Sequence, residues 1–275
     1  MTTVHGKTVF ITGAGSGIGY QTAVAFSNAG ARIVATDIDE SGLKQLEQDL
    51  SARGGKCRTA ILNVTDEAAT KTLAGALLSD GWLPDIVVNN AGIAYIVPFV
   101  ETDMDVWRRT FEVNVVGVAI GSRVFASIWQ SRNISGHIVN IASMASVTPQ
   151  PSLSAYAASK YAVEGLCEVL AMELEASDIK VTCVHPGVIN TPIVQNVNQM
   201  RVPKEQFEKI RDHYIQDGIT PDVVANAILD GVQKEKTNIF VGPMTGQIAF
   251  LRRLLPRTWF RSIVKSAAKR IGYMA

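Results

Sequence analysis

The first apolar run of the chain, residues 8–11, leads straight into Thr12-Gly13-Ala14-Gly15-Ser16-Gly17-Ile18-Gly19, and helical spacing begins just afterwards. Few architectures place four glycines between a strand and a helix. Glycine lets the backbone turn tightly and approach another group closely. The helix start behind it presents unpaired N–H groups and a positive dipole end, so the junction suits a pyrophosphate. The spacing is Gly-x-x-x-Gly-x-Gly, at Gly13, Gly17 and Gly19. Gly-x-Gly-x-x-Gly does not fit, because Ile18 lies five beyond Gly13 and Tyr20 five beyond Gly15.

Further strand-like apolar runs follow at 32–36, 57–62, 86–88, 137–141, 180–184 and 238–241. Between them lie stretches with helical spacing, such as 20–28 and 41–52, the latter with Leu43, Leu46 and Leu50 on one face. Regular strand–helix alternation predicts an α/β fold: a Rossmann-like, doubly wound parallel sheet with helices on both faces. Near-continuous apolar strands agree with a sheet buried on both sides. The expected organisation is a single dinucleotide-binding catalytic domain over 1–245, with a lid at about 190–218, followed by an extension at 246–275.

Hydrophobic residues make up 47% of the 275 and charged residues 19%, which excludes disorder. A formal net charge of +1 argues against a general nucleic-acid binder. Cys57, Cys167 and Cys183 show no metal-binding spacing and read as reduced core cysteines. No secretory signal pattern and no apolar run of bilayer-spanning length is evident, so a cytoplasmic protein is expected.

Asp37 closes the second strand, 18 residues after Gly19. A carboxylate there can accept hydrogen bonds from the adenosine ribose hydroxyls and would repel a 2′-phosphate. The neighbouring Ile38 and Ser16 supply no cation for such a phosphate, so NAD is expected over NADP. Farther on, a strand ends in Ser143, and thirteen residues later Tyr156 and Lys160 stand four apart on one helix face. A phenol is a poor base at neutral pH, and a nearby ammonium favours its ionised form.

With these motifs, residues 7–241 resemble the short-chain dehydrogenase/reductase family. The resemblance implies that Tyr156 is the general acid/base and that Ser143 hydrogen-bonds the substrate oxygen. It implies that Lys160 holds the nicotinamide ribose and lowers the Tyr156 pKa. Asn114, within Phe111-Glu112-Val113-Asn114-Val115-Val116-Gly117, would anchor a water in a proton relay. Cofactor contacts would come from Gly13, Ser16, Gly17, Ile18 and Gly19, from Asp37, and from Asn90, Ala91 and Gly92 after the fourth strand. Asn63 and Val64 stand where the family usually has Asp-Val, and the Asn63 amide oxygen could still accept from the adenine amino group. Pro186, Gly187, Val188 and Thr191 match the motif beside the nicotinamide carboxamide, with His185 packed next to it. Relatives form homodimers or homotetramers on the long helices, here those bearing Asn114 and Tyr156.

The implied reaction is hydride transfer between NAD(H) and an alcohol or ketone. An NADPH-dependent carbonyl or 3-oxoacyl reductase is the alternative enzyme, opposed by Asp37. A non-catalytic cofactor-sensing or scaffold protein is the alternative of another class, opposed by the intact tetrad. The lid carries Ile193, Val194, Val197, Met200, Val202, Phe207, Ile210 and Tyr214, and Tyr95, Met144, Ala145 and Gln150 are candidate wall residues. This mainly apolar lining suggests a lipid, steroid, terpenoid or aryl substrate; the same residues could instead pack on the protein itself.

Charge divides unevenly. Residues 1–235 hold 18 basic and 25 acidic groups, whereas 236–275 hold eight basic and no acidic ones. Apolar Phe250, Leu254, Trp259, Phe260, Ile263 and Val264 recur there at helical spacing, with Pro256 expected to open a second helix. Such a tail can lie peripherally on an anionic membrane, or cover the cleft or a subunit interface, and the sequence leaves these open.

Overall fold

The computed structural model describes residues 3–191 and 201–274. Seven strands coincide with the seven apolar runs to within two residues at either end. They are β1 (Thr8–Thr12), β2 (Arg32–Asp37), β3 (Cys57–Ile61), β4 (Ile86–Asn89), β5 (Gly136–Ile141), β6 (Ile179–Pro186) and β7 (Asn238–Val241). All pair in parallel in the order β3-β2-β1-β4-β5-β6-β7. The winding direction reverses between β1 and β4, so a crevice opens at the carboxyl ends of those strands, where this class of sheet binds ligands.

Helices cover both faces. On one, Ala23 and Phe26 of α1 (Gly17–Asn28), Leu43, Leu46 and Leu50 of α2 (Glu40–Ala52), and Val224, Ile228 and Val232 of α8 (Pro221–Gln233) pack against the sheet. On the other lie α3 (Glu67–Ser79), α5 (Gly117–Arg132) and α6 (Ser154–Glu173), joined by the fully buried Trp129, whose indole N–H donates to the Pro84 carbonyl at 2.9 Å. Asp39 and Asp66 cap α2 and α3 by accepting from Ser41 N and Ala69 N. Ser16, at the start of α1, makes no such side-chain bond.

A short α4 (Met104–Phe111) runs through a π turn, Glu112–Val116, into α5. Among the described residues, Met104–Arg132 is the helix long and apolar enough to cross a membrane by length and composition. Val118, Val124, Phe125 and Trp129 of this helix enter the core, and it carries the buried Asn114.

The last helices are α7 (Lys204–Gln216), α9 (Thr245–Leu254) and α10 (Arg257–Ile271), with Pro256 preceding the first residue of α10. A third apolar cluster joins α7 and α10 to the sheet's ligand end: Ile210 of α7, Ala268 of α10 and Tyr273 pack with Ile96 and Leu153, next to Tyr156 and Tyr214. The inner face of the tail therefore packs on the protein itself.

Candidate active site

A cleft of about 970 Å³ lies at the carboxyl ends of the central strands. One end is built on the glycine turn. Gly13 and Gly17 hold positive φ angles, +65° and +55°. A Cβ at Gly19 would strike the Gly13 carbonyl oxygen and lie 2.5 Å from Asn90 Nδ2. Hydrogen bonds fix this turn to the end of β4. Thr12 Oγ1 accepts from Asn90 N and Ala91 N, both at 3.0 Å, and Asn90 Nδ2 donates to the Thr12 and Gly13 carbonyls at 2.9 and 3.1 Å. Asp37 Oδ2 accepts from Gly15 N at 2.8 Å and Oδ1 from Asp39 N at 3.0 Å, so the carboxylate is aimed before any ligand arrives.

Of the cofactor contacts expected from sequence, Gly13, Ser16, Gly17, Ile18, Asp37, Asn63 and Val64 line the cleft. Asn90, Ala91, Gly92, Pro186, Gly187, Val188 and Thr191 line it as well. Gly19 is buried beneath the turn. Asn63 differs in detail from the expectation. Its Oδ1 accepts from Thr65 N at 3.2 Å and Thr65 Oγ1 at 3.1 Å, which uses both lone pairs within its own turn. Its amide N–H₂ is the group left to offer a base.

At the other end, β5 delivers Ser143 and the first turns of α6 deliver Tyr156 and Lys160. Ser143 is nine-tenths buried, and its Oγ accepts from Ala145 N at 3.1 Å. Lys160, also buried, donates from Nζ to the Ile141 carbonyl at 2.7 Å and stands 5.7 Å from the centre of the Tyr156 ring. The fully buried Asn114 sits in the π turn. Its Oδ1 accepts from Ile93 N at 2.8 Å, and its Nδ2 donates to the Ile93 carbonyl at 2.9 Å and to Ser159 Oγ at 3.0 Å. Ser159 Oγ in turn donates to the Tyr156 carbonyl at 2.7 Å, which ties Asn114 to α6. A Cβ on Gly92 would lie 3.3 Å from Asn114 Oδ1 and 3.6 Å from Lys160 Nζ, so both side chains converge on one glycine.

Burial pushes the Tyr156 phenol up to about 12, against the pull of its hydrogen bond with Ser143. Burial also brings the Lys160 ammonium down to about 8. Both groups are moved toward their neutral forms, because removing water penalises charge.

Met144, Ala145 and Gln150 line the cleft, as do Ile96, Leu153 and Tyr214. Tyr95 and Phe207 are not among its lining residues. The Phe207 ring is turned to Arg211, whose guanidinium carbon lies 5.8 Å from the ring centre. Val194, with Ile193, Val197 and Met200, lies outside the described residues. Tyr273 is a wall residue that the sequence reading missed. Its hydroxyl meets that of Tyr214 at 2.9 Å, inside the cleft. A signal existed: an aromatic directly after Gly272, which closes α10 at φ +99°. His185 is buried beside the Pro186 turn and stacks on Phe240 at 4.6 Å, a packing role. Among the described residues no cluster suited to a metal occurs.

The family profile described as short chain dehydrogenase matches residues 7–202. The chain belongs to this family. In comparison with curated proteins, the short-chain dehydrogenase is 39% identical over 256 residues to "Probable oxidoreductase EphD" of Mycobacterium tuberculosis, matching 90% of this chain and 43% of that one. The chain thus spans less than half the length of that relative. It is 33% identical over 274 residues to "Dehydrogenase/reductase SDR family member 7B" of Bos taurus, covering 97% of this chain and 83% of that protein. Among solved structures, a Burkholderia phymatum short chain dehydrogenase/reductase in complex with NAD superposes with a TM-score of 0.83 at 30% identity, over 92% of this chain and 94% of that one. A metagenomic short-chain oxidoreductase in complex with NADP gives 0.71 at 25% identity, over 88% and 99%. The family to which the chain belongs thus includes solved members that hold NAD and NADP.

Proposed function

We propose that this dehydrogenase moves hydride between NAD(H) and a hydrophobic secondary alcohol or ketone of lipid, steroid, terpenoid or aryl type, with Tyr156 as general acid/base. The observation that carries the reading is the meeting of Ser143, Tyr156 and Lys160 at one end of a cleft whose other end is a glycine turn against a helix start. A dinucleotide fits that turn because added side chains would fill it: a Cβ on Gly19 collides with backbone, and the first N–H groups of α1 have no side-chain cap. Gly13, Ser16, Gly17 and Ile18 would hold the pyrophosphate, Asp37 the adenosine ribose, Lys160 the nicotinamide ribose, and Val188 and Thr191 the carboxamide. When bound, the nicotinamide ring supplies the hydride acceptor or donor.

The chain's own residues handle the proton. Ser143 Oγ donates to the substrate oxygen and fixes it beside the Tyr156 hydroxyl. In reduction, a phenol held protonated by burial gives its proton to the developing alkoxide. In oxidation the phenolate takes the hydroxyl proton, and the buried Lys160 ammonium is the cation nearest to stabilise it. Asn114 holds the Ile93 backbone and α6 in register, so Tyr156 and Lys160 keep their positions. The apolar residues Ile96, Met144, Ala145, Leu153 and Ile271 favour a hydrophobic substrate and keep water from the reacting carbon. Because Ile271 and Tyr273 stand in this wall, the extension after residue 245 takes part in the site.

Assembly into a homodimer or homotetramer is supported by exposed apolar side chains on adjacent long helices, Val116 beside α5 and Tyr161, Val169 and Met172 on α6. A cytoplasmic setting agrees with three free cysteines. Peripheral membrane contact is supported by the α9–α10 face, which stays exposed. The test is an absorbance assay at the NADH band over a panel of apolar alcohols and ketones. Tyr156→Phe should lower turnover about 10³-fold while NADH binding, followed by fluorescence, stays unchanged. Turnover within tenfold of the parent would refute the role.

A further inference from the structure

The tail has two sides. Its inner side is anchored by the buried Phe260, Ala268 and Tyr273. Its outer side keeps large apolar groups in water: Phe250 is 63% exposed, Leu254 64%, Trp259 67% and Ile263 51%. Phe250 and Leu254 are four apart on α9, and Trp259 and Ile263 are four apart on α10, so each pair shares a helix face. On α10 this places apolar side chains on a stripe wider than the protein itself covers. A patch of this kind marks an interaction surface.

Charge identifies the occupant. Arg252, Arg253, Arg257, Arg261, Lys265, Lys269 and Arg270 lie on the same two helices, and no acidic residue follows Glu235. Among the described residues none of these seven makes an ion pair. Arg252 instead stands 5.4 Å from the centre of the Phe260 ring. A second copy docking by two-fold symmetry would bring two strongly basic helix pairs together, with no acidic side chain of this segment to offset them. A bilayer with anionic headgroups offers the complementary sign, an apolar layer for Ile263 and Leu254, and an interface suited to an indole.

We infer that the outer face of α9 and α10 docks on an anionic lipid bilayer, with Phe250, Leu254, Trp259 and Ile263 entering the headgroup boundary and the arginines and lysines on the headgroups. The same α10 ends at Ile271, and Tyr273 follows it; both are walls of the cleft, so docking holds the cleft at a fixed attitude to the surface.

The test is co-sedimentation of the full chain with phosphatidylcholine vesicles, plain or with phosphatidylglycerol, at low and high salt. Binding is expected to the anionic vesicles alone and to weaken with salt. Trp259 fluorescence should shift to the blue on binding. Arg261→Gln with Lys265→Gln should weaken binding about 25-fold, near fivefold per cation. Trp259→Ser with Ile263→Ser should weaken it at least tenfold, and both variants should bind NADH as the parent does. Absence of binding to anionic vesicles overturns the inference. So does binding that ignores both variants. A drop in oligomeric state on Trp259→Ser with Ile263→Ser, seen by light scattering, would reassign the face to a subunit contact.

Discussion

The proposed preference for NAD rests on Asp37, and Asp37→Ala isolates it. In the protein each carboxylate oxygen already accepts one backbone N–H, from Gly15 at 2.8 Å and Asp39 at 3.0 Å, and keeps a lone pair toward the cleft. A ribose hydroxyl donating there makes a charge-assisted bond worth about 1.5–3 kcal/mol. Asp37 is only partly buried, so we take about 2 kcal/mol for the ribose pair together, or about 30-fold in NADH affinity. A 2′-phosphate of charge about −2 at about 6 Å is repelled by about 1.4 kcal/mol even at the dielectric of water, a further tenfold that the substitution removes for NADPH. The ratio of the two dissociation constants should therefore move about 300-fold toward NADPH. Loss of the acceptor for Gly15 N loosens the turn and weakens both cofactors alike, so it cancels in the ratio. Fluorescence titration of NADH and NADPH on parent and variant gives the four constants. A ratio unchanged within threefold would refute the assignment of Asp37 and, with it, the preference for NAD.

Two further outcomes follow from the packing. Gly19→Ala places a methyl group against the Gly13 carbonyl oxygen and the Asn90 amide, backbone and a side chain held by two bonds of its own. NADH affinity should fall at least tenfold in titration while Gly246→Ala, where an added Cβ meets nothing within 4 Å, leaves it unchanged. His137 is buried on β5, and because the Thr182 hydroxyl donates to the Lys236 carbonyl, His137 Nε2 carries a proton and donates to Thr182 Oγ1 at 2.8 Å. Burial lowers its pKa from 6.5 to about 4. Between these values the unfolded chain binds the extra proton, so stability falls as pH drops from 6.5 to 4, by about 3 kcal/mol at most. Urea midpoints across that window should show the fall, and His137→Gln should flatten it.

The parts legible in sequence are those whose cause is local. The inner strands are apolar because both faces of the sheet are covered there, and a run of three to six such residues says so without reference to its partners, whereas β3 at the edge is only half-buried. Gly13 and Gly19 are legible because an added Cβ would strike the neighbouring backbone, and Gly17 because its φ is positive. Asp37 is legible from its offset to them. The tail was half legible. Its helical period shows an apolar stripe, but a stripe does not say whether protein, membrane or solvent lies against it. Only the fold shows Ala268 and Tyr273 covered and Trp259 bare. Tyr95 and Phe207 are aromatic residues near the right segments, but apolar character at half-burial says nothing about which way a ring turns.

The Tyr156–Lys160 pair shows the same limit in its sharpest form. A spacing of four guarantees that the two side chains meet, and they do, at 5.7 Å from ring centre to Nζ. It carries no information on how much water remains around them. Coulomb attraction and desolvation both grow as water leaves, with opposite effects on the phenolate. Here desolvation prevails, and the phenol stands at about 12 and the ammonium at about 8. The ammonium has also spent one of its three donors on the Ile141 carbonyl. How far burial outweighs a neighbouring ammonium is a property of the folded enclosure, and no spacing of residues in the chain encodes it.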